Sequence, residues 1–377
     1  MQLVLQLTRD CNFACTYCYQ THSAGRGMTP EVAEAAVERL LDAGHAHVAI
    51  TFFGGEPLLE RETLEACWPA LRELGARRGA LVTAKVCTNG ALLDRSLAEF
   101  ARRTGLFVSL SVDGGPDVQD TGRPTVDGHS TSALAENALE RLRVARAPFA
   151  TYQVITPANA AVLARSTEWL LRRGSRVFVS TLDFGAPWTP ADLRRLGVAY
   201  RGLARRYVRW TRRGETFFMT PFDAKITART QGSRFGKETC CAGVRQIAVD
   251  PDGGIYPCIE FLESPKWKIG DVASGIDPAS LASVYHDHGG SRPEECGDCG
   301  IRSRCASNCA CLNLRVGGEM HSIDALLCAH ERLVTQAADR IGRRLFQKRD
   351  RTFLDRHYNP WHQPLAVLES IFEETAS

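Results

Sequence analysis

The sequence contains no long hydrophobic run, and this absence excludes a membrane-spanning helix, which needs about 18 or more consecutive apolar residues. The first apolar run is short, lacks a basic start and ends at polar Thr8-Arg9-Asp10, so it does not fit a signal peptide. We therefore expect a cytoplasmic protein that does not associate with membranes, in a compartment where thiols stay reduced.

A concentrated tract of positive charge is also absent. Lys and Arg number 46 against 43 Asp and Glu, the net charge is +3, and the arginines are scattered along the chain. So slight an excess does not predict a nucleic-acid partner. A hydrophobic content of 44% is ordinary for a folded domain, and 377 residues are enough for two domains.

Cysteine, by contrast, is abundant, with 14 residues. Disulfides are not expected in a reducing compartment, and a chain of this length has a core of its own and does not need them. Metal binding is therefore the better explanation for the thiols.

Strand-like and helix-like segments alternate in the first half of the chain. The predicted strands are 3–7, 47–53, 85–88, 106–112, 150–156 and 176–182, and the helices between them are 30–43, 61–74, 94–103, 131–145 and 160–173. Six β–α repeats imply parallel strands with right-handed crossovers, and six are too few to close an eight-stranded barrel. We predict an α/β fold, a partial (β/α)6 TIM-like barrel, with its chemistry at the carboxyl ends of the strands.

The pattern changes beyond about residue 230, where glycines and nine of the cysteines concentrate. The predicted organisation is a barrel at 1–215, a linker at 216–235, a smaller cysteine-rich domain at 236–330 and a helical tail at 331–377. Additional helices are predicted at 189–213, 330–346 and 365–372.

Three cysteines, Cys11, Cys15 and Cys18, follow the first predicted strand with the spacing Cys-x3-Cys-x2-Cys. Three thiolates can hold three corners of a four-iron cluster and leave the fourth iron open, as a catalytic zinc keeps one open position. A zinc loop with a distant fourth ligand and a chance crowding of buried thiols are the alternatives. The spacing alone leaves all three open.

The loop CNFACTYC together with FFGGEP, CTNG and SVDGGP, in this order and after successive strands, resembles the radical S-adenosylmethionine (SAM) enzymes. The resemblance implies a [4Fe-4S] cluster on Cys11, Cys15 and Cys18, with SAM on the open iron. It also implies reductive cleavage of SAM to a 5′-deoxyadenosyl radical, which removes a hydrogen atom from the substrate, and an electron donor of the flavodoxin or ferredoxin type. The positions that match SAM-binding ones are Tyr17, Gly54, Gly55, Glu56, Pro57, Asn89, Ser111 and Asp113. For the last three, a turn-forming role is the alternative.

The later cysteines match the SPASM domain, which carries two auxiliary clusters in radical SAM maturases of peptides and proteins. The resemblance assigns one cluster to Cys296, Cys299, Cys305 and Cys328, and the cluster nearer to SAM to Cys241, Cys258 and Cys309. The chain would then hold three [4Fe-4S] clusters. The nearer cluster lacks a fourth cysteine in this match, so either Cys240 reaches it through a kink or one iron stays open. A zinc ribbon is the alternative for this domain. Cys311 is spare, and Cys67 and Cys87 are expected to be core thiols.

The leading functional prediction is a radical SAM enzyme that modifies a ribosomally made precursor peptide, forming an oxidative C–C or thioether cross-link with an auxiliary cluster as electron acceptor. Because Cys11 is so near the start and only 49 residues follow Cys328, leader recognition is expected to use a groove of these domains or a separate protein. The alternatives are a small-metabolite dehydrogenase, a sulfatase-type protein maturase and a non-catalytic zinc- or cluster-bearing scaffold. Sulfatase-maturing enzymes share SVDGGPDVQD, but they typically carry an acidic residue where this chain has Ile259, followed by Glu260.

Overall fold

The computed structural model describes residues 1–232, 242–262, 264–288, 294–306 and 309–359. Its strands are β1 (Gln2–Thr8), β2 (His47–Gly54), β3 (Leu81–Thr88), β4 (Phe107–Ser111), β5 (Phe149–Ile155), β6 (Val177–Leu182), β7 (Phe218–Met219), β8 (Gln246–Val249), β9 (Gly254–Tyr256), β10 (Gly270–Asp271) and β11 (Gly275–Ile276). Its α-helices are α1 (Pro30–Asp42), α2 (Arg61–Arg77), α3 (Arg95–Thr104), α4 (Pro116–Gly122), α5 (Ser132–Ala145), α6 (Leu163–Arg172), α7 (Pro190–Arg212), α8 (Thr220–Thr230), α9 (Pro278–His288), α10 (Ala310–Gly317), α11 (Ala325–Gln347) and α12 (Arg351–Tyr358). Short 3-10 helices lie at Pro57–Glu60, Ala160–Val162, Ile259–Phe261, Pro265–Trp267, Glu294–Cys296 and Arg302–Arg304.

The chain forms two units that alternate along the sequence. Unit 1 contains 1–111, 123–149 and the described part of 240–290, and unit 2 contains 112–122 with the described parts of 150–239 and 291–377.

Unit 1 is built on a parallel sheet. Strands β1 to β4 pair in sequence order, and β8 pairs in parallel with the other side of β1. Strands β8 to β11 then continue as antiparallel neighbours. The central strand β1 is buried along all but its first residue, and Leu3, Leu5 and Leu7 are fully buried in it, as expected for a parallel strand covered on both faces.

Unit 2 combines the parallel strands β5, β6 and β7 with a helical layer. Helix α11 packs on α7 and α8, and the core around them is aromatic. Tyr207 and Phe217 meet edge to face with ring centroids 4.9 Å apart, and Phe222 is fully buried beside them. Across the described residues, no helix has both the length and the apolar character to cross a membrane, and the two longest, α7 and α11, carry many charges.

The α/β class and all six predicted strands are confirmed, as are the predicted helices between them. Helix α6 ends as expected at Gly174, whose φ of +90° is a conformation that glycine adopts without strain. The sequence prediction missed α4, α8, α9, α10 and α12, which have eleven residues or fewer. Helix α8 lies where a linker was predicted, because Pro221 in its first turn and a weak apolar periodicity masked it.

The predicted tail helix begins earlier than expected. Asp324 caps α11 by accepting a hydrogen bond from the Leu326 amide at 2.7 Å, so Cys328 lies inside the first turn of this helix instead of before it. The helix predicted at 365–372 lies outside the described residues. The predicted domain boundaries stay predictions.

Candidate active site and cluster ligands

The loop with the first three cysteines begins directly after β1. Cys11 and Cys15 are half-buried and Cys18 is exposed. The Phe13 amide donates to Cys11 Sγ at 3.4 Å, and the Cys18 amide donates to the Cys15 carbonyl at 3.0 Å. Burial, with smaller contributions from Glu56 and the neighbouring thiols, raises the pKa of the Cys11 thiol to about 12, against the lowering effect of the hydrogen bond from the Phe13 amide. A bound cation would reverse this effect, because metals bind the thiolate.

A segment far along the chain holds this loop from one side. The Ala14 amide donates to the Pro124 carbonyl at 2.8 Å, and Phe13 forms an antiparallel bridge with Thr125. The Arg123 guanidinium lies 5.2 Å from the centre of the Tyr17 ring. Tyr17, the aromatic residue before the third cysteine, therefore forms a cation–π contact that stiffens the loop. Nothing in the sequence around Arg123 indicated this contact, since the segment has no strand or helix periodicity.

The Gly-Gly pair after β2 packs on the backbone that leads into the cysteine loop. The Gly55 amide donates to the Thr8 carbonyl at 3.0 Å. A Cβ on Gly54 would lie 2.2 Å from the Thr8 carbonyl oxygen, and one on Gly55 would lie 2.1 Å from that of Asp10. Only glycine permits so close an approach, so these residues fix the segment directly before Cys11.

Glu56 connects three parts of unit 1. Its side chain is buried, and it accepts hydrogen bonds from the Leu58 amide at 3.0 Å, the Thr88 hydroxyl at 2.7 Å and the Asn89 amide at 2.7 Å. Burial raises the pKa of Glu56 to about 7, against the lowering effect of these hydrogen bonds. Pro57 follows as the first residue of a 3-10 helix and is also buried. The carboxylate thus joins the turn after β2 to the end of β3.

Asn89 continues this connection into the cysteine loop. Its side-chain amide donates to Asn12 Oδ1 at 2.8 Å, and Asn12 stands between the first two cysteines of the loop. The motifs that follow β1, β2 and β3 are therefore joined by direct hydrogen bonds, as the fold prediction expected of one shared edge.

Ser111 and Asp113 follow β4 and fall in different units. Ser111 is half-buried at the end of β4. Asp113 belongs to unit 2, where Oδ1 accepts from the Val154 amide at 2.9 Å and the backbone carbonyl accepts from Gln153 Nε2 at 3.0 Å. Both contacts join Asp113 to β5.

Four of the later cysteines surround one recess in unit 2. Cys296, Cys299, Cys305 and Cys328 line it together with Glu331 and Arg332, and its empty volume, which includes space open to solvent, is about 310 Å³. Two consecutive turns arrange the first three thiols, because the Cys299 amide donates to the Cys296 carbonyl and the Cys305 amide donates to the Arg302 carbonyl, both at 3.3 Å. Burial raises the pKa of Cys328, and the nearby Cys305 and Cys296 thiols add to this.

The remaining cysteines differ in their placement. Cys258 is buried after β9 and accepts a hydrogen bond from Gln246 Nε2 at 3.1 Å, and Cys309 precedes α10. Cys240 and Cys241 lie outside the described residues. Cys67, Cys87 and Cys311 lie within α2, β3 and α10, and Cys67 and Cys311 are buried. In the part of the chain that the structure describes, no three His, Cys, Asp or Glu side chains converge as ligands of a single metal ion.

The donor sets fit iron–sulfur clusters. The first loop offers three thiols on one short segment, of which the third is open to solvent, and the recess in unit 2 offers four thiols around one empty volume. Thiolates are the ligands that hold [4Fe-4S] clusters, three or four at a time.

A family model described as the radical SAM superfamily matches residues 5–156, the stretch with the cysteine loop and the turns after β2, β3 and β4. Fold and site together thus define a SAM-dependent iron–sulfur enzyme. Residues 5–156 therefore form a domain of the radical SAM superfamily.

Two curated relatives align with most of the chain. The cysteine-type anaerobic sulfatase-maturating enzyme of Clostridium perfringens is 25% identical over 289 residues, which are 72% of this chain and 76% of that protein. The serine-type anaerobic sulfatase-maturating enzyme of Klebsiella aerogenes is 26% identical over 314 residues, which are 79% of this chain and 76% of that protein.

Solved structures share the fold. Native anSMEcpe with bound AdoMet and Cp18Cys peptide gives a TM-score of 0.78 at 21% identity, covering 92% of this chain and 99% of that chain. Streptococcus suis SuiB bound to the precursor peptide SuiA gives 0.61 at 17% identity, covering 86% and 75%. The predicted α/β fold with a parallel sheet and a cysteine-rich C-terminal region is thus confirmed.

Proposed function

We propose that this chain is a radical SAM maturase of the sulfatase-maturating type, which oxidises a cysteine or serine side chain of a peptide segment. The observation that carries the proposal is the alignment with cysteine-type and serine-type sulfatase-maturating enzymes over 72% to 79% of the chain. The alignment favours this alternative over the cross-link that led the sequence prediction. A peptide substrate also agrees with the peptide-bound structures that share the fold.

In this proposal Cys11, Cys15 and Cys18 hold the SAM-binding cluster. When bound, the cluster and SAM supply a radical that removes a hydrogen atom from the substrate. The protein's own residues position this site. Glu56 remains a proposed SAM-site residue: its carboxylate accepts three hydrogen bonds that hold the turn after β2, and it has capacity for one more. Tyr17, Gly54, Gly55, Pro57, Asn89, Ser111 and Asp113 remain proposed SAM-site residues.

We further propose that the C-terminal region holds two auxiliary clusters. Cys296, Cys299, Cys305 and Cys328 are assigned to one of them on the strength of their common recess. The second would use Cys241, Cys258 and Cys309, with Cys240 or an open iron as the fourth position. When bound, an auxiliary cluster would supply an acceptor for the electron that the substrate radical gives up, and a flavodoxin- or ferredoxin-type donor would supply the first electron. A separate leader-recognition protein remains a proposed partner.

At Ile259 this chain differs from the sulfatase-maturating pattern, and this difference supports a second candidate function. This side chain cannot accept a proton, although sulfatase-type relatives typically carry an acidic residue here. Glu260, the next residue, is half-buried at the start of a 3-10 helix. Oxidation of a hydroxyl or thiol substrate releases the O–H or S–H proton to an acceptor, whereas the proton released when two side chains form a C–C bond comes from a carbon atom. Ile259 therefore favours the cross-linking of a precursor peptide as the second candidate.

The test is anaerobic reconstitution with iron and sulfide, followed by incubation with SAM and dithionite. We expect 5′-deoxyadenosine and methionine to appear, and Cys15→Ala to abolish both products. Three peptides that differ only in cysteine, serine or alanine at one position then separate the candidates. A mass change confined to the cysteine or serine position supports maturation, and a change that joins two residues supports cross-linking. Absence of 5′-deoxyadenosine from reconstituted wild-type protein would refute both.

A further inference from the structure

A buried ion pair lies against the four-cysteine recess of unit 2. Lys225 of α8 and Glu331 of α11 approach to 2.6 Å between Nζ and Oε2, and each side chain is only 9% exposed. Removing both charges from water is costly, and such a pair is often no more stabilising than apolar residues of the same size. Stability alone therefore does not explain this ion pair.

The Lys225–Glu331 pair forms hydrogen bonds with the backbone on both sides of Cys305. Lys225 Nζ donates to the Arg304 carbonyl at 2.6 Å, and the Ala306 amide donates to Glu331 Oε2 at 2.8 Å. The residues before and after this cysteine are thus both hydrogen-bonded to the ion pair.

Glu331 also lies on the same helix as another cysteine of the recess. Cys328 and Glu331 are three residues apart on α11, a spacing that places them on one face of the helix, and both line the recess. The ion pair therefore links the turn with Cys305 to the helix with Cys328.

A second ion pair supports the same turn. Arg304 donates to both carboxylate oxygens of Asp339 at 2.6 and 3.1 Å, and Arg304 is 9% exposed. Asp339 lies two turns further along α11. The turn is thus tied to α11 at two places, although only Glu331 lines the recess.

We propose that Lys225 and Glu331 are positioning residues for the auxiliary cluster of unit 2: they fix Cys305 relative to Cys328 and set the electrostatic environment of that cluster. The inference rests on the proposed function for the presence of the cluster. Outer partners of metal ligands orient those ligands, and nearby charges change the reduction potential of iron–sulfur clusters.

The test compares Lys225→Met, Glu331→Gln and wild-type protein after anaerobic reconstitution. Iron is counted per chain, and the potential of each cluster is measured by redox titration with electron paramagnetic resonance. Removing a positive charge makes reduction harder and removing a negative charge makes it easier. We therefore expect the midpoint potential of one auxiliary cluster to fall in Lys225→Met and to rise in Glu331→Gln, or that cluster's roughly four irons to be lost.

The matched control is Lys268→Met, which removes an exposed ion pair with Asp271 in unit 1. It should keep all irons and potentials. If circular dichroism shows that Lys225→Met does not fold, the result for Glu331→Gln decides the test. The amide oxygen of this variant can still accept the hydrogen bond from the Ala306 amide. The inference would be overturned if Lys225→Met and Glu331→Gln kept all their iron with unchanged midpoint potentials, or if both potentials shifted in the same direction. An equal loss of iron in Lys268→Met would also overturn it.

The proposed function fails separately from this inference. SAM cleavage depends on the first loop in unit 1, so the positioning variants should still release 5′-deoxyadenosine with dithionite. Wild-type protein that binds the clusters but never cleaves SAM would refute the proposed function and leave the potentials of the variants interpretable.

Discussion

The two cysteine sites differ in how the protein holds them. The first loop is held by backbone hydrogen bonds, by the close approach of Gly54 and Gly55, and by a buried carboxylate whose three partners are neutral donors. The recess in unit 2 is held by the buried Lys225–Glu331 ion pair and the partly buried Arg304–Asp339 ion pair.

This difference agrees with what each site is proposed to do. A loop that must admit SAM keeps one cysteine exposed, and its scaffold, in the described part of the chain, combines hydrogen bonds from neutral donors with one cation–π contact, Arg123 on Tyr17, and contains no buried ion pair like that of the recess. A cluster that only exchanges electrons can be closed on all sides, and charged side chains next to it adjust its potential. The predictions below test each kind of scaffold in turn.

The largest effect is expected from Gly55→Ala. The new Cβ would lie 2.1 Å from the Asp10 carbonyl oxygen, and backbone cannot move aside as a flexible side chain can. We expect a loss of more than ~3 kcal/mol in the free energy of unfolding, or a displaced loop without its cluster. Iron analysis and thermal unfolding would measure this.

Gly25→Ala is the control for this substitution, since a Cβ at Gly25, in the segment between β1 and α1, meets nothing within 4 Å. Equal behaviour of the two variants would show that the close approach at Gly55 does not position the cysteines.

A pH-dependent effect of up to roughly 3 kcal/mol is expected at Glu56. Burial raises the pKa of this carboxyl from 4.5 to about 7 in the folded chain, so the folded state binds the proton more tightly than the unfolded state. The contribution of this proton binding to the free energy of unfolding is fully present below pH 4.5 and is lost as the pH rises to about 7. The unfolding midpoint of cluster-free protein in urea, followed from pH 4.5 to 7.5, would measure this.

Glu56→Gln should flatten that pH dependence, because the amide does not titrate in this range. It should also lower stability at low pH, since one of its two terminal atoms is a donor facing the Thr88 hydroxyl or the Asn89 amide. A wild-type profile as flat as that of the variant would contradict the raised pKa.

A smaller loss, about 2 kcal/mol, is expected from Arg304→Met. This change removes two charge-assisted hydrogen bonds and leaves Asp339 with the exposed Arg229 as its remaining cation partner in the structure. Thermal unfolding would measure the loss. Iron should be largely retained, because the Lys225–Glu331 pair still holds Cys305. If Arg304→Met lost the iron of a whole cluster, Arg304–Asp339 would also position the cluster ligands, and the Lys225–Glu331 pair would not be sufficient to hold Cys305.

Some of this could be predicted from the sequence. The apolar run of β1 and the spacing of Cys11, Cys15 and Cys18 are local patterns, so the strand and the thiol loop could be placed without a structure. The role of Glu56 could not, because a motif shows that a carboxylate is present but not which donors it takes.

Contacts between residues far apart in the sequence could not be predicted either, because the sequence does not show which side chains meet. Lys225 and Glu331 are 106 residues apart, and Arg304 and Asp339 are 35 apart. In a sequence, such residues look like the solvated charges of helix faces. Only the packing of α8 and the turn before Cys305 on α11 makes them a buried network.

The smallest effect is expected at Arg332, which approaches the same recess from its exposed side. Its guanidinium donates to Cys299 Sγ at 4.0 Å, the outer limit for a hydrogen bond to sulfur. Arg332→Gln should keep every iron and lower the midpoint potential of that auxiliary cluster only slightly, by less than Lys225→Met does, because solvent screens an exposed charge more than a buried one. The same redox titration measures both variants. A larger shift from Arg332 than from Lys225 would show that the exposed cation, and not the buried pair, governs this cluster.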